Sequence, residues 1–177
     1  MQIRKARLGD IAEIESMIAR SVMALMGREY SLEQRRASIG PLFGVDRQIV
    51  EDGTYYVVED AGRLVGSGGW SFRRTLFGGD RVANRDDSRL NPDVDPAHIR
   101  AFFIDPGAAR TGVGTLILLQ SEADAAAQGF SHYDMMATLT GRPFYARHGY
   151  RAGSVFEYPL PGGLGFPLIH MEKSRGG

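Results

Sequence analysis

The sequence contains no cysteine and no excess of either charge. Without cysteine, the chain has no disulfide, no thiolate metal site and no cysteine nucleophile. Its 21 lysines and arginines balance its 21 aspartates and glutamates, and the basic residues are scattered among acidic ones rather than gathered in a stripe. A partner held mainly by bulk electrostatics, such as duplex nucleic acid, is therefore not expected.

Long apolar runs are missing as well. No run approaches the roughly 18 residues needed to cross a bilayer, and the first ten residues lack the apolar stretch of a secretory signal. We therefore expect a cytoplasmic protein without a membrane partner. A chain of 177 residues, 43% of them hydrophobic, is long enough to bury about 70% of the surface that its unfolded state exposes. These properties predict a single domain over residues 1–177.

The apolar pattern predicts strands that both precede and follow the central helices. The predicted strands lie at residues 2–7, 55–59, 64–72, 97–104, 133–137, 150–158 and 168–173, and the helices begin near residues 10, 32, 113 and 142. Such an order is typical of one mixed α/β sheet. We therefore expect a single-domain α/β fold with a sheet of about six to seven strands and flanking helices.

Residues 73–96 interrupt this pattern with five arginines, five aspartates and few large apolar side chains. They predict a long insertion loop of balanced charge. Loops of this length inside a compact domain are often binding loops or lids, and disorder is the alternative. The aspartates lack the spacing and central glycine of a calcium-binding loop, so no metal site is predicted.

The segment IDPGAARTGVGTLIL at residues 104–118 predicts a strand end, a loop with Gly112 and Gly114, and a helix directly after it. Glycine lets the backbone approach a ligand closely, and the first helical turn offers unpaired N–H groups at the positive end of the helix dipole. This arrangement favours phosphate binding, although a plain strand-to-helix turn has the same pattern. A dinucleotide fingerprint would need glycine at Ile117, and a Walker loop would need Gly-Lys-Ser/Thr, which is absent.

A second motif, PFYARHGY at residues 143–150, places Tyr145 on a short helix that ends at Gly149. A tyrosine in this setting is most often a packing residue. Together, however, the two motifs resemble the GNAT superfamily of N-acetyltransferases. In that family a strand is followed by a turn, a glycine-containing loop, a long helix, a second strand and a Phe-Tyr-x-x-x-Gly-Phe/Tyr stretch. The matching residues here are Asp105-Pro106, Ala109 to Gly114, Phe144-Tyr145 and Gly149-Tyr150.

The chain departs from the family pattern in three places. Ala109 stands where the family usually has Arg or Gln, and Arg110 follows one position later. Thr138 and Gly141 replace the Asn and the Ala that precede the Phe-Tyr pair in the family pattern. Because Ala109 lacks the usual polar side chain, a side-chain contact to a pyrophosphate is shifted or lost, while backbone amides are still expected to bind it.

The resemblance implies acetyl-CoA as co-substrate, with no metal, in an opening between the strands that end near Ile104 and Ala137. The pyrophosphate would lie on the N–H groups of residues 110–115, and the pantetheine would run along the strand through Phe102 to Ile104. A main-chain N–H near Ile104 would hold the acetyl carbonyl. The implied cofactor-binding residues are Phe102, Phe103, Ile104, Arg110, Thr111, Gly112, Val113, Gly114, Thr115 and Thr138.

For catalysis, the resemblance implies Tyr145 as the general acid that protonates the departing thiolate. His98 is the candidate base, because a free imidazole titrates near neutral pH and regular alternation places His98, Arg100, Phe102 and Ile104 on one face. A histidine exposed at the strand end is the alternative interpretation. Arg100 is in turn a candidate to recognise a carboxylate or phosphate of the acceptor.

The acceptor implied by the resemblance is a primary amine of a small molecule or of a protein. It would be held by the first two helices, the 73–96 loop and the hairpin at residues 159–167, which could also pair two copies into a homodimer. Candidate walls of its pocket are Tyr30, Trp70, Phe72 and Phe77. Two other hypotheses stay open: a non-catalytic acyl-CoA-binding sensor module, and an α/β protein that binds ATP or NAD with the same loop.

Overall fold

A computed structural model describes residues 1–174, which form seven strands in one sheet with helices on both faces. The elements in chain order are β1 (Gln2–Lys5), α1 (Ile11–Leu25), α2 (Leu32–Ser38), α3 (Arg47–Glu51), β2 (Tyr55–Asp60), β3 (Arg63–Ser71), β4 (Ala97–Ile104), α4 (Val113–Ala127), β5 (His132–Thr138), α5 (Arg142–Arg147), β6 (Arg151–Pro159) and β7 (Gly165–Ser174). The predicted mixed α/β sheet of six to seven strands is thus confirmed.

The strand order across the sheet is β1-β2-β3-β4-β5-β7-β6, and β4–β5 is the parallel pair within it. These two strands pair at Ala97 with Tyr133 and at His98 with Asp134, close to where each strand begins. Both strands then continue for several residues without pairing to each other. Since the carboxyl ends of parallel strands lie at the same edge, β4 and β5 leave an opening at that edge of the sheet.

The two faces of the sheet carry separate apolar cores. On one face, α1, α2 and α3 pack with strand residues that include Val57 and Phe103. On the other face, α4 and α5 pack with strand residues that include Trp70 and Ile99. We call these the α1 face and the α4 face.

β4 has a bulge at Ala101, whose φ is +56°. Arg100 pairs with Gly69 of β3 and Phe103 pairs with Ser67, so β4 advances three positions where β3 advances two. The extra residue reverses the alternation of side chains along the rest of the strand.

The bulge overturns the expectation that His98, Arg100, Phe102 and Ile104 share one face. His98 and Arg100 lie on the α1 face, where Phe103 joins them beyond the bulge. Phe102 and Ile104 instead pack on the α4 face. The prediction was wrong because alternation with a period of two holds only for an uninterrupted strand.

Helix α4 is fixed on the sheet by close backbone packing and by buried hydrogen bonds. A Cβ atom at Gly66 of β3 would lie 2.3 Å from a methyl carbon of Val113, so glycine is required where the start of α4 crosses the strand. Near the other end, the Asp124 carboxylate accepts hydrogen bonds from the Tyr56 hydroxyl (2.6 Å) and the Trp70 indole (3.0 Å). These contacts fix the orientation of α4, so that its N-terminus lies beside the opening between β4 and β5.

Residues 73–96 form an irregular loop, and a buried ion cluster holds it against the α1 face. Asp46 is fully buried and lies 2.9 Å from the Arg100 guanidinium and 2.8 Å from that of Arg85. Arg100 also donates to the carbonyls of Thr75 and Gly78 in the loop. The loop is therefore tied to β4 and to the segment before α3.

The same contacts exclude Arg100 as a recognition group for an acceptor carboxylate or phosphate. Its side chain is almost fully buried, and its charge is already compensated by Asp46. Burial lowers the pKa of the Arg100 guanidinium, while the nearby Asp46 opposes that effect. The sequence suggested a substrate-binding arginine because it did not show that the insertion folds back over β4.

We predict that Asp46→Ala destabilises the protein by about 3–5 kcal/mol, because it leaves Arg100 as a buried charge without a partner. Chemical denaturation monitored by circular dichroism measures this loss. Asp60→Ala is the matched control, since Asp60 pairs with the N-terminal amine at an exposed position, and it should change stability by less than about 1 kcal/mol. Equal, small effects of the two substitutions would contradict the importance of the cluster.

Candidate active site

The loop before α4 has the backbone geometry of an anion site. Arg110 and Gly112 both have positive φ angles, of 64° and 92°. Gly112 is the residue before the helix, and the first helical hydrogen bond runs from the Leu116 N–H to its carbonyl. The N–H groups of residues 113–115 consequently have no acceptor within the helix. No heavy atom lies within 4 Å of a Cβ added at Gly112, so the space before these N–H groups is open.

Asp105 stabilises the start of this loop through side-chain hydrogen bonds. Its carboxylate accepts hydrogen bonds from the Gly107 N–H (3.0 Å) and from the Arg20 guanidinium of α1 (2.8 Å). The hydrogen bonds from Arg20 hold the pKa of Asp105 below its usual range. The start of the loop is therefore anchored to a helix on the opposite face of the sheet.

Tyr145 of α5 lies against β4 and thus reaches across the opening. Its ring centroid is 6.0 Å from that of Phe102 and 5.0 Å from that of Phe144. The side chain is buried, and burial raises the pKa of its hydroxyl. Within residues 1–174 this hydroxyl has no hydrogen-bond partner, so it is available to a ligand.

Phe144 joins Tyr145 to the loop before α4. A Cβ atom at Gly114 would lie 3.2 Å from the edge of the Phe144 ring, so the two residues are in close contact. Next to them, the Thr115 hydroxyl lies 3.2 Å from Nε2 of His148. The anion-type loop and the tyrosine hydroxyl are therefore parts of one packed unit.

Thr138 ends β5 on the other side of the opening. Its hydroxyl accepts a hydrogen bond from the Gly141 N–H at 3.0 Å and so stabilises the turn into α5. This contact gives the side chain a structural role, and its predicted contact with a cofactor stays a prediction.

His98 is buried on the α1 face and is not the exposed strand-end histidine of the alternative interpretation. Its Nδ1 lies 2.5 Å from a carboxylate oxygen of Asp134 on β5. The second oxygen of Asp134 lies 3.0 Å from Nε2 of His170 on β7. Sequence reasoning missed Asp134 and His170, because no local spacing connects residues on three different strands.

The predicted aromatic walls of an acceptor pocket are mostly core residues. Trp70 and Phe72 are buried on the α4 face, and Tyr30 stacks on Phe166 with the ring centroids 4.0 Å apart. The Tyr30 hydroxyl is bonded to the backbone of two other segments. Phe77 is the exception among the four, because it is partly exposed.

Phe77 connects the insertion loop to β6, the strand at the edge of the sheet, on the α1 face. Its ring centroid lies 5.7 Å from that of Tyr158 and 6.1 Å from that of Phe156, both on β6. Phe156 is exposed, and Tyr158 is partly buried. The loop and β6 thus form an aromatic wall on the side where the acceptor was predicted.

A cleft of about 550 Å³ lies between α2 and the connection from β6 to β7. Its lining residues are Leu32, Glu33, Arg36, Ala37, Pro161 and Leu164. None of them belongs to β4, β5 or α5, so this cleft is distinct from the opening between the parallel strands. It lies between two of the segments, the second helix and the 159–167 hairpin, that were predicted to hold the acceptor, and acceptor binding there stays a prediction.

Residues 1–174 contain no group of three or more histidine, aspartate and glutamate side chains placed to hold a metal ion. None of the helices in that range is long and apolar enough to cross a membrane.

Comparisons with known proteins identify the family and the fold. A model of the acetyltransferase (GNAT) family matches residues 20–150. No curated protein matches the sequence.

Several solved structures share the fold at low sequence identity. A GCN5-related N-acetyltransferase from Rhodopseudomonas palustris is 21% identical, with a TM-score of 0.73 over 98% of this chain and 94% of that one. PaiA N-acetyltransferase from Thermoplasma acidophilum, in complex with coenzyme A, is 14% identical, with a TM-score of 0.64 over 98% of both chains. Naa20 from Chaetomium thermophilum, in complex with a bisubstrate analogue, is 20% identical, with a TM-score of 0.65 over 98% of this chain and 86% of that one.

Proposed function

The chain belongs to the GNAT acetyltransferase family, and from this premise we propose that it transfers the acetyl group of acetyl-CoA to a primary amine. The observation that carries the proposal is the packed unit of Gly114, Phe144 and Tyr145. It joins a loop suited to a pyrophosphate to an unpaired hydroxyl that reaches across the opening. A binding loop alone would not require that hydroxyl.

In this proposal the pyrophosphate lies on the N–H groups of residues 113–115 within the predicted segment 110–115, at the positive end of the α4 dipole. The Thr111 N–H already donates to the Ala108 carbonyl. Arg110 is exposed at the rim of the loop and can approach the phosphates from the solvent side. The pantetheine runs along β4 from Phe102 to Ile104, where the strand has no partner in β5. Its amide groups would pair with that backbone edge like an additional strand.

The reaction must move protons off the acceptor nitrogen and onto the departing sulfur. The acceptor ammonium loses a first proton to His98, and because His98 lies at the closed end of the opening this proton travels through water. The neutral amine attacks the thioester carbonyl, and a main-chain N–H near Ile104 stabilises the resulting oxyanion. When the C–S bond breaks, the Tyr145 hydroxyl donates its proton to the thiolate, and the second proton of the amine nitrogen passes to the tyrosinate as the amide forms. The products are the acetylated amine, coenzyme A and a protonated His98.

The acceptor is an amine of a small molecule or of a protein, held on the α1 face. Two features support this placement: the wall formed by Phe77 and β6, and the cleft beside α2. PaiA N-acetyltransferase and Naa20 have the same fold, and the structure of Naa20 holds a bisubstrate analogue. Because Arg100 is already paired with Asp46, recognition of an acceptor carboxylate would depend on other groups.

We predict that Gly112→Asp weakens acetyl-CoA binding at least about 100-fold, equivalent to about 2.7 kcal/mol, because it places a carboxylate where the phosphates would lie. Isothermal titration calorimetry measures the dissociation constant. Gly62→Asp is a matched control in the turn between β2 and β3, far from the site. Its φ is +76°, and no heavy atom lies within 4 Å of an added Cβ there either. Equal losses in both variants, or intact binding by Gly112→Asp, would contradict the assignment.

We predict that Tyr145→Phe lowers kcat by about 10²-fold or more, the usual contribution of a general acid, while the affinity for acetyl-CoA stays unchanged. Release of the coenzyme A thiol with a panel of amines measures turnover. Since burial raises the pKa of Tyr145, the wild-type hydroxyl stays protonated throughout the neutral range and the effect should not vary there with pH.

Tyr150→Phe serves as the matched control. It removes the hydroxyl of a neighbouring aromatic ring that donates to Glu122 at 2.9 Å, outside the proposed chemistry. This variant should keep its kcat. Full turnover by Tyr145→Phe would refute the role of Tyr145, and binding without any turnover by the wild type would favour an acyl-CoA-binding module.

A further inference from the structure

A chain of hydrogen bonds joins three adjacent strands at the closed end of the opening. His98 on β4 and His170 on β7 bind opposite oxygens of the same carboxylate, that of Asp134 on β5. The exposed fraction of the side chain rises along this chain, from 8% for His98 to 11% for Asp134 and 33% for His170. This series of hydrogen bonds thus runs from the interior of the α1 face towards solvent.

The location relates these residues to the proposed reaction. His98 and Asp134 form the last register pair before β4 and β5 separate. They lie on the α1 face, where the acceptor is proposed to bind. Nδ1 of His98 is occupied by Asp134, and its Nε2 has no hydrogen-bond partner within residues 1–174.

The partners of Asp134 differ from those of Asp46, the other buried carboxylate on this face. Both carboxylates are buried on the same face. Asp46 is neutralised by two arginines, which carry a permanent charge. Asp134 is hydrogen-bonded to two imidazoles instead, each of which can donate from one ring nitrogen and accept a proton on the other. If Asp134 only stabilised the fold, arginine partners such as those of Asp46 would compensate its charge better than imidazoles do.

The charged residues beside these three side chains, Arg100 and Glu172, are paired with other residues. Arg100, two residues along β4 on the same face, pairs with Asp46. Glu172, opposite Asp134 on β7, lies 4.0 Å from Arg151 on β6. On β3 the residue opposite His98 is Ser71, which has no charge.

We propose that Asp134 and His170 are positioning residues for His98 as the base of the acetyl transfer. Asp134 accepts a hydrogen bond from the Nδ1–H of His98, which leaves the Nε2 lone pair to take up, through water, a proton from the acceptor ammonium. The carboxylate then stabilises the imidazolium, and His98 returns this proton to solvent after the product has left. His170 donates from Nε2 to the second oxygen and so fixes the carboxylate. Asp134 itself gains no proton in this cycle.

The inference rests on the proposed function and is tested by a double-mutant cycle. His98→Gln removes the base, and Asp134→Asn keeps the shape of the side chain while losing its charge. Each should lower kcat by about 10²-fold or more without changing acetyl-CoA affinity. The double variant should be no slower than the single ones, because groups that act as one unit do not contribute additively. Additive losses, or a full kcat in Asp134→Asn, would overturn the proposal.

His170→Gln keeps a donor to the carboxylate but cannot become charged. Because the donor is kept, His170→Gln should retain its kcat. His170→Ala leaves the second oxygen of Asp134 without this partner and should lower kcat by about tenfold, the effect of losing one hydrogen bond to a charged group. A full kcat in His170→Ala, or no rescue by His170→Gln, would remove His170 from the assignment. His132→Gln is the matched control, because His132 is exposed on β5 and its recorded hydrogen bond is to Ser131.

Nitrogen-15 NMR of the four histidines provides a readout that does not need turnover. In the wild type at high pH, His98 should carry its proton on Nδ1, and Asp134→Asn should abolish that preference. A proton on Nε2 of His98 in the wild type would refute the positioning role even if the enzyme is active. Absence of turnover with the expected tautomer would instead refute the proposed function alone.

Discussion

The site depends on one constraint in the sheet: two parallel strands that pair at their start and then separate. After His98 and Asp134, the edges of β4 and β5 that face each other carry backbone groups without partners in the sheet. Such groups are costly when buried, so they must contact solvent or a ligand. An extended ligand with amide groups satisfies them as a strand would. The loop before α4 and the ring of Tyr145 border the same gap, and for this reason the opening organises the proposed chemistry.

Two other features divide the tasks between the faces of the sheet. The bulge at Ala101 turns Phe102 and Ile104 towards α4 and turns Phe103 towards the acceptor side. The buried cluster around Asp46 holds the insertion loop over that second side. The cofactor would therefore enter along the α4 face, while the acceptor meets a surface built from α2, β6 and the loop. In the proposed reaction, transfer would take place where the gap connects the two faces.

Much of this arrangement was readable from the sequence. Apolar periodicity predicted the seven strands and the helices α1, α2, α4 and α5 but not the short α3, and residues 104–118 together with the Phe144-Tyr145 motif indicated the family. The bulge could not be predicted, because Ala101 is an ordinary strand residue and its positive φ arises from pairing with β3. The roles of Arg100 and of the Asp134–His170 contact depend on residues far apart in the chain, so local patterns do not show them. Tyr30 and Trp70 were mistaken for pocket walls because aromatic residues have the same local pattern in a core and in a pocket.

A crystal structure of the protein with bound coenzyme A tests the central claim most directly. The account predicts the pyrophosphate on the N–H groups of residues 113–115, the pantetheine along Phe102 to Ile104, and the sulfur beside the Tyr145 hydroxyl. Density for the ligand in the cleft beside α2, with the gap between β4 and β5 filled by the protein's own side chains, would contradict it.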